Sequence, residues 1–210
     1  VESIRLLLDS YIFDGKTNKY PVDFDYSLIR KKGEPIKTFG GISSGAEPLI
    51  KLHEQLKEIL NKRDKQLLTE TDIADIMNLI GVCVVSGNVR RSAQVMLGDI
   101  KSKEYLDLKN YKKNPQRANY GWTSNNSVFC DDNTDYTEAA ERTGINGEPG
   151  YFWLENAQKY GRLVDAPNWK DKKAVGANPC MEQTLENFEL CCLVETFPAN
   201  HESLEDYKRT

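Results

Sequence analysis

Apolar positions along the chain follow two rhythms. Val1, Ile4, Leu7, Leu8 and Tyr11 recur at helical spacing, and Gly15 and Asn18 punctuate a turn after them. Val22, Phe24, Tyr26 and Leu28 then alternate with Asp23, Asp25 and Ser27, the period of a half-buried strand. Leu49, Leu52, Leu56, Ile59 and Leu60 form one stripe with charges opposite, which predicts a helix over 47–63. Pro48 stands in its first turn, where a missing N–H costs nothing. Thr69 with Asp72 three residues on is a weakened capping box, and Ile73, Ile76, Met77, Ile80 and Val84 carry the apolar face of the next helix up to Gly87. Residues 93–97 read as a strand, 101–108 as a short helix, 120–130 as a strand, and 152–160 as an aromatic-faced helix capped by Gly161. Residues 109–117 read as a solvated basic loop and 144–150 as a turn-rich connector. Ser203, with Asp206 three residues later, starts one more helix. This alternation of strand and helix predicts an α/β fold with a largely buried sheet.

Composition narrows the partners. The formal charge is −4, and Lys and Arg are never clustered in long runs, which argues against a nucleic-acid polymer and leaves a small nucleotide open. No apolar run approaches the roughly 18 residues of a membrane span, and no signal-peptide pattern opens the chain, so the expected location is the cytoplasm. Five cysteines, two of them adjacent, are too few for a disulfide scaffold and fit a reducing compartment where thiols are free or catalytic. The chain opens without methionine on a helix already under way and closes on one just begun. We therefore expect both ends to be cut and 1–210 to be one partial domain.

The densest chemistry lies in 176–192. Asn178, Cys180 and Glu182 sit at i, i+2 and i+4, and on an extended strand all three would share one face. Pro179 favours extended geometry at Asn178. Cys191 follows Cys180 by eleven positions, and its neighbour Cys192 would face the opposite way in a strand. The residue types leave several readings open. The two histidines, His53 and His201, have no partner motif for a Cys/His nucleophile. Cys180, Cys191, Cys192 and His201 lack the paired spacing of a zinc knuckle, so no metal site is expected. Gly40-Gly41-Ile42-Ser43-Ser44-Gly45 is either a phosphate cradle at a helix start or a flexible connection. Ser86-Gly87-Asn88-Val89-Arg90-Arg91-Ser92 places two guanidiniums on a pliant loop, suited to an anion, a base edge or surface ion pairs. Cys83 reads as a small buried hydrophobe, and Asn125 and Asn126 as hydrogen-bonded structural residues.

The run Asn178-Pro179-Cys180-Met181-Glu182-Gln183 resembles the finger-loop motif of ribonucleotide reductase large subunits. The step to Cys191 is similar to that of the adenosylcobalamin-dependent ribonucleoside-triphosphate reductases, and so are 39–45, 86–92, Ser124-Asn125-Asn126-Ser127, 146–150 and 153–157, in the same order. The resemblance implies part of a ten-stranded α/β barrel whose finger loop carries the active-site cysteine, reducing ribonucleotides to deoxyribonucleotides through a thiyl radical. It implies Cys180 as the radical site, Glu182 as general base, Asn178 as orienter of the sugar hydroxyls, and Cys191 as one of two reducing cysteines. The second reducing cysteine is expected upstream. Ser86, Gly87, Asn88, Arg90 and Arg91 would belong to a specificity loop responding to a deoxynucleotide effector. The cofactor implied is adenosylcobalamin, and the partners are a ribonucleoside triphosphate and a thioredoxin-like reductant. The same motif also serves tyrosyl-radical enzymes. A non-catalytic nucleotide-binding module and a metal-binding structural domain are the alternatives from other classes.

Overall fold

The computed structural model describes residues 1–11, 22–37, 40–63, 66–87, 91–160, 166–192 and 194–209. Three helices open the chain, α1 (Glu2–Asp9), α2 (Glu47–Lys62) and α3 (Glu70–Val85). Pro48 lies in the first turn of α2, and Leu52, Leu56 and Leu60 point inward against Leu7, Ile76 and Leu79. Each fully buried side chain of this kind contributes roughly 1.5–3 kcal/mol. The capping box of α3 is complete: Thr69 Oγ1 accepts from the Asp72 amide at 3.3 Å, and Asp72 Oδ2 accepts from the Thr69 amide at 2.8 Å.

The face that α3 buries differs from the expected one. Ile76 and Leu79 are buried with Ala74, Asn78 and Gly81, whereas Ile73, Met77 and Val84 are exposed. This helix is apolar nearly all round, so periodicity alone does not select its inner face. Close approach selects it instead: a Cβ on Gly81 would lie 3.0 Å from Gln94 Nε2 and 3.1 Å from Thr123 Cβ. The expected strand at 22–28 is also absent. Its alternation survives as burial, with Phe24 and Tyr26 half-buried and Asp23 and Asp25 exposed, but the segment pairs with no other strand among the described residues and Leu28 is 96% exposed.

A three-stranded parallel sheet follows, β1 (Gln94–Asp99), β2 (Ser124–Phe129) and β3 (Gly150–Phe152), in that order. Parallel neighbours need crossovers. The first contains α4 (Lys103–Leu106) and two short 3₁₀ turns, and the second contains α5 (Thr137–Asn146). Register aligns Val95 with Asn125, Leu97 with Ser127, and Ser127 with Gly150. Side chains alternate across the sheet, so Gln94, Met96, Gly98, Ser124, Asn126, Val128 and Tyr151 share one face. Helices cover it: Asn78 of α3 bonds Ser124, Tyr105 of α4 lies over Gly98, and Thr143 of α5 meets Tyr151. The opposite face carries Val95, Leu97, Asn125, Ser127, Phe129 and Phe152. After α6 (Leu154–Lys159) the chain returns to that face as a hairpin, β4 (Gly176–Ala177) and β5 (Thr184–Leu185), before ending with α7 (Leu204–Tyr207). Gly176 packs against Leu97, where an added Cβ would stand 3.3 Å from Cδ1. The element α5 falls where the sequence pattern predicts no regular element or only a connector, and β3 takes Phe152 from the helix expected over 152–160, which begins at Leu154 instead. The predicted Gly161 cap lies outside the described residues, as does the turn at Gly15 and Asn18.

Candidate functional site

The β4–β5 hairpin presents the polar cluster. Register pairs Gly176 with Leu185 and Ala177 with Thr184, and the Asn178 amide donates to Gln183 O at 2.9 Å. The strand then stops, because Pro179 has no N–H to continue a ladder. The Met181 amide donates to Asn178 O at 2.9 Å, closing a four-residue turn with Pro179 and Cys180 at its centre. Positive φ falls on Met181 (69°) and not on Cys180, which excludes a type II turn.

This corrects the expectation that Asn178, Cys180 and Glu182 share a strand face. A turn, not alternation, gathers these residues. Asn178 is 4% exposed and its amide is the hub: Oδ1 accepts from the Gln183 amide at 3.0 Å, and Nδ2 donates to Glu182 Oε1 at 2.6 Å and to Cys191 Sγ at 3.4 Å. The tertiary fold thus joins an amide, a carboxylate and a thiol thirteen residues away. Cys180 is exposed in the turn beside them. Cys191 and Cys192 are both exposed, and Cys191 is the one bonded to the hub.

The hairpin is anchored on three sides. Ala174 O, just before β4, accepts from Gln158 Nε2 of α6 at 2.8 Å, Thr184 of β5 bonds Asp171, and Asn125 Nδ2 of β2 donates to Pro179 O at 3.0 Å. Behind β2 lies a buried polar layer that the basic-loop reading of 109–117 missed. Arg117 is fully buried, with Nε 3.0 Å from Asp75 Oδ1 and Nη2 donating to Asn78 Oδ1 at 3.3 Å. Burial pushes the Asp75 carboxyl up, with the Arg117 guanidinium and the Tyr120 hydroxyl pulling against it. Lys109 is nearly buried as well, with Nζ donating to Ser124 O at 2.6 Å and lying 3.2 Å from Glu148 Oε2. That same Glu148 oxygen accepts from the Asn126 amide at 3.1 Å. A signal for this layer exists in the sequence: Asp75 and Asn78 are polar positions set among apolar residues of α3, and buried polar groups require partners.

Ser86 caps the C-terminus of α3 and donates to Cys83 O at 2.7 Å, while its Oγ lies 3.3 Å from Ser44 Oγ. The two Gly/Ser-rich stretches are therefore neighbours. A cavity of about 240 Å³ opens beside them, lined in part by Lys51, Gln55, Cys83, Ser86 and Tyr120. Gly87 approaches Ser44, and Arg91 is exposed. Asn88 and Arg90 lie outside the described residues. Cys83 is half-buried against the α2–α3 core, and burial pushes its thiol up. His53 bonds Tyr26 and Ser3, and His201 lies 3.1 Å from Asp206, so neither is placed beside Cys180 by these contacts. Among the described residues, no three His, Cys, Asp or Glu side chains converge as a metal site, and no helix is long and apolar enough to cross a membrane.

Fold and site together define a class: a mixed α/β chain with a parallel sheet, helices on one face, and a cysteine-bearing hairpin on the other. Sequence comparison gives that class a family. Residues 1–60 match the family model described as "B12-dependent ribonucleotide reductase, insertion domain". The whole chain is 57% identical to a Dictyostelium discoideum protein named a probable adenosylcobalamin-dependent ribonucleoside-triphosphate reductase, covering 27% of it. It is also 51% identical over its whole length to the adenosylcobalamin-dependent ribonucleoside-triphosphate reductase of Euglena gracilis, covering 28% of it. The corresponding protein of Levilactobacillus brevis is 43% identical over 86% of this chain and 24% of its own length. No solved structure matches. The chain is thus similar over its whole length to adenosylcobalamin-dependent ribonucleoside-triphosphate reductases, and it spans about a quarter of the length of the curated relatives it matches.

Proposed function

We propose that this chain is part of the catalytic domain of a ribonucleoside-triphosphate reductase, one that forms 2′-deoxyribonucleotides for DNA synthesis by a thiyl-radical mechanism. The observation that carries this reading is the Asn178 amide joining Glu182 and Cys191 on the hairpin whose turn holds an exposed Cys180. In this proposal 1–210 is a partial catalytic domain, the parallel sheet is a section of a ten-stranded barrel with its helices outward, and the hairpin is the finger loop inside it. Helices on one sheet face and the hairpin on the other support that placement.

Cys180 carries the sulfur radical and takes the 3′ hydrogen atom of the ribose. S–H and activated C–H bonds are similar in strength, so the transfer is reversible. Glu182 accepts the 3′-hydroxyl proton, and Asn178 donates to the sugar oxygen on which charge develops. Its present bonds to Glu182 and Cys191 mark where that amide is aimed. The 2′-hydroxyl then leaves as water while Cys191 and a second cysteine outside this chain give up two electrons and two protons, ending as a disulfide. A thioredoxin-like protein reduces that disulfide. Adenosylcobalamin, when bound, supplies an organic radical, and the residue here that fits it is Cys180, whose thiol is open at the hairpin turn. Residues 86–92, with Arg90, Arg91, Ser86, Gly87 and Asn88, convey the identity of a deoxynucleotide effector to base choice. The Ser86 cavity is consistent with a nucleotide-responsive region. We place the enzyme in the cytoplasm, with neither a nucleic-acid polymer nor a membrane as partner.

The test is Cys180→Ser in the complete reductase chain, assayed for deoxynucleotide formation with and without adenosylcobalamin. Loss of turnover by at least a thousandfold is expected. Undiminished turnover would remove the radical from Cys180, and cofactor-independent turnover by the parent would overturn the adenosylcobalamin-dependent subclass.

A further inference from the structure

Asn125 stands on β2, outside the hairpin, yet it is the residue that reaches the peptide leading into Cys180. Its Nδ2 donates to Pro179 O at 3.0 Å, and Pro179–Cys180 is the central peptide of the turn closed by Met181 N and Asn178 O. The central peptide of a four-residue turn has two orientations related by a flip of about 180°, the type I and type II senses, and the flip changes φ of the third residue. Here that residue is Cys180. A carbonyl held by a fixed donor resists the flip, and the direction of the Cys180 Cα–Cβ bond is held with it.

The donor is itself fixed. The Ser127 hydroxyl donates to Asn125 Oδ1 at 2.9 Å, which leaves Nδ2 as the end that points to the turn. Ser127 is buried, and its hydroxyl occupies the space above Gly150, where a Cβ would lie 2.6 Å from Oγ. The backbone on either side of Asn125 is gripped along the edge of β2. Ahead of Gly150, where β3 begins, no strand among the described residues pairs with this side of β2, and side chains take its place: Lys109 Nζ binds Ser124 O and Glu148 Oε2 binds the Asn126 amide. A partly buried ion pair between Lys109 and Glu148 thus clamps the residue whose amide steadies the turn.

We infer that Asn125 is a positioning residue for the Cys180 thiol, held in orientation by Ser127 and by the Lys109–Glu148 clamp, and acting through the Pro179 carbonyl. The inference rests on the radical role proposed for Cys180. Misplacing a reacting atom by about 1 Å costs on the order of 100-fold in rate. Asn125 touches neither substrate nor reacting atoms in this scheme, so its loss acts on kcat and leaves KM for the triphosphate in place.

The experiment compares Asn125→Asp and Asn125→Ala in the complete reductase chain with the parent and with Cys180→Ser. Asn125→Asp keeps the shape and turns the donor into an acceptor facing the Pro179 carbonyl. Expected are a kcat lowered about 10- to 100-fold, KM within twofold, and at least tenfold faster amide hydrogen exchange confined to the peptide spanning 176–185. Parental kcat with parental exchange in Asn125→Asp would overturn the inference. So would a loss of activity with uniform exchange and a lowered midpoint in both variants, since that is a merely structural role. The exchange readout does not depend on turnover. If Cys180→Ser stays active, the radical assignment fails while faster exchange at 176–185 still reports the positioning contact.

Discussion

His53 uses both ring nitrogens while only 2% exposed: Nδ1 lies 2.7 Å from the Tyr26 hydroxyl and Nε2 3.1 Å from Ser3 Oγ. Phe24 stacks on the ring at 4.2 Å between centroids. Two hydroxyl partners suit a neutral imidazole, one nitrogen donating and one accepting. Burial and then Lys57 push the His53 pKa below its ordinary 6.5. With the folded value lowered, the unfolded chain binds more protons just below that pH. The stabilising contribution is therefore present above about pH 6.5 and is lost as pH falls through the folded value. Urea midpoints across this range should decline for the parent and stay flatter for His53→Gln, and equal slopes would show that His53 does not titrate on unfolding. The buried Arg117 belongs to a different case. An ion pair of this kind is a poor source of net stability, but breaking it by removing one partner leaves a buried charge alone.

At the scale of elements, the join between sheet and helices rests on the absence of a side chain. Gly98 of β1 lies under the Tyr105 ring of α4, and a Cβ there would stand 2.5 Å from three ring atoms. The ring cannot swing aside easily, because its hydroxyl lies 2.6 Å from Met96 O and 2.9 Å from Ser127 O. Burial raises the Tyr105 pKa, keeping the hydroxyl protonated as a donor to these carbonyls. Gly98→Ala should cost about 1–3 kcal/mol through overpacking. Chemical denaturation measures it, and a change below about 0.5 kcal/mol would mean that the layers can separate at little cost. The hairpin follows another logic: its strands are two residues each, too short to be stable alone, and its contacts to α6 and β2 hold it in place.

At the scale of the molecule, β1 and β3 each pair on one side only among the described residues, and the hairpin face of the sheet retains an exposed Phe129. A radical site of the proposed kind requires water and quenchers to be kept out. We expect the purified 210-residue chain, given adenosylcobalamin, a dithiol reductant and a ribonucleoside triphosphate, to form no deoxynucleotide, while the complete reductase chain does. Turnover by the 210 residues alone would show that the enclosing strands are not needed for the chemistry.

Local interactions decide what the sequence determines by itself. The 47–63 stripe with Pro48 in its first turn gives α2 to within one residue, and Thr69 with Asp72 gives the start of α3, because helix periodicity and capping involve neighbours in the chain. The α/β class follows from the order of such elements, and the run from Asn178 to Gln183 carried the family resemblance. Burial and pairing are settled by residues distant in sequence. Only the tertiary structure turns Ile73, Met77 and Val84 outward and leaves 22–28 without a strand partner among the described residues. The same distance in sequence separates Arg117 from Asp75 and Lys109 from Glu148. Even the site changes its basis: Asn178 and Glu182 meet through a turn that Pro179 forces, and Cys191 and Asn125 arrive from thirteen and more than fifty residues away. A spacing rule describes one strand or one helix, whereas this cluster is made by a hairpin folded back onto a sheet.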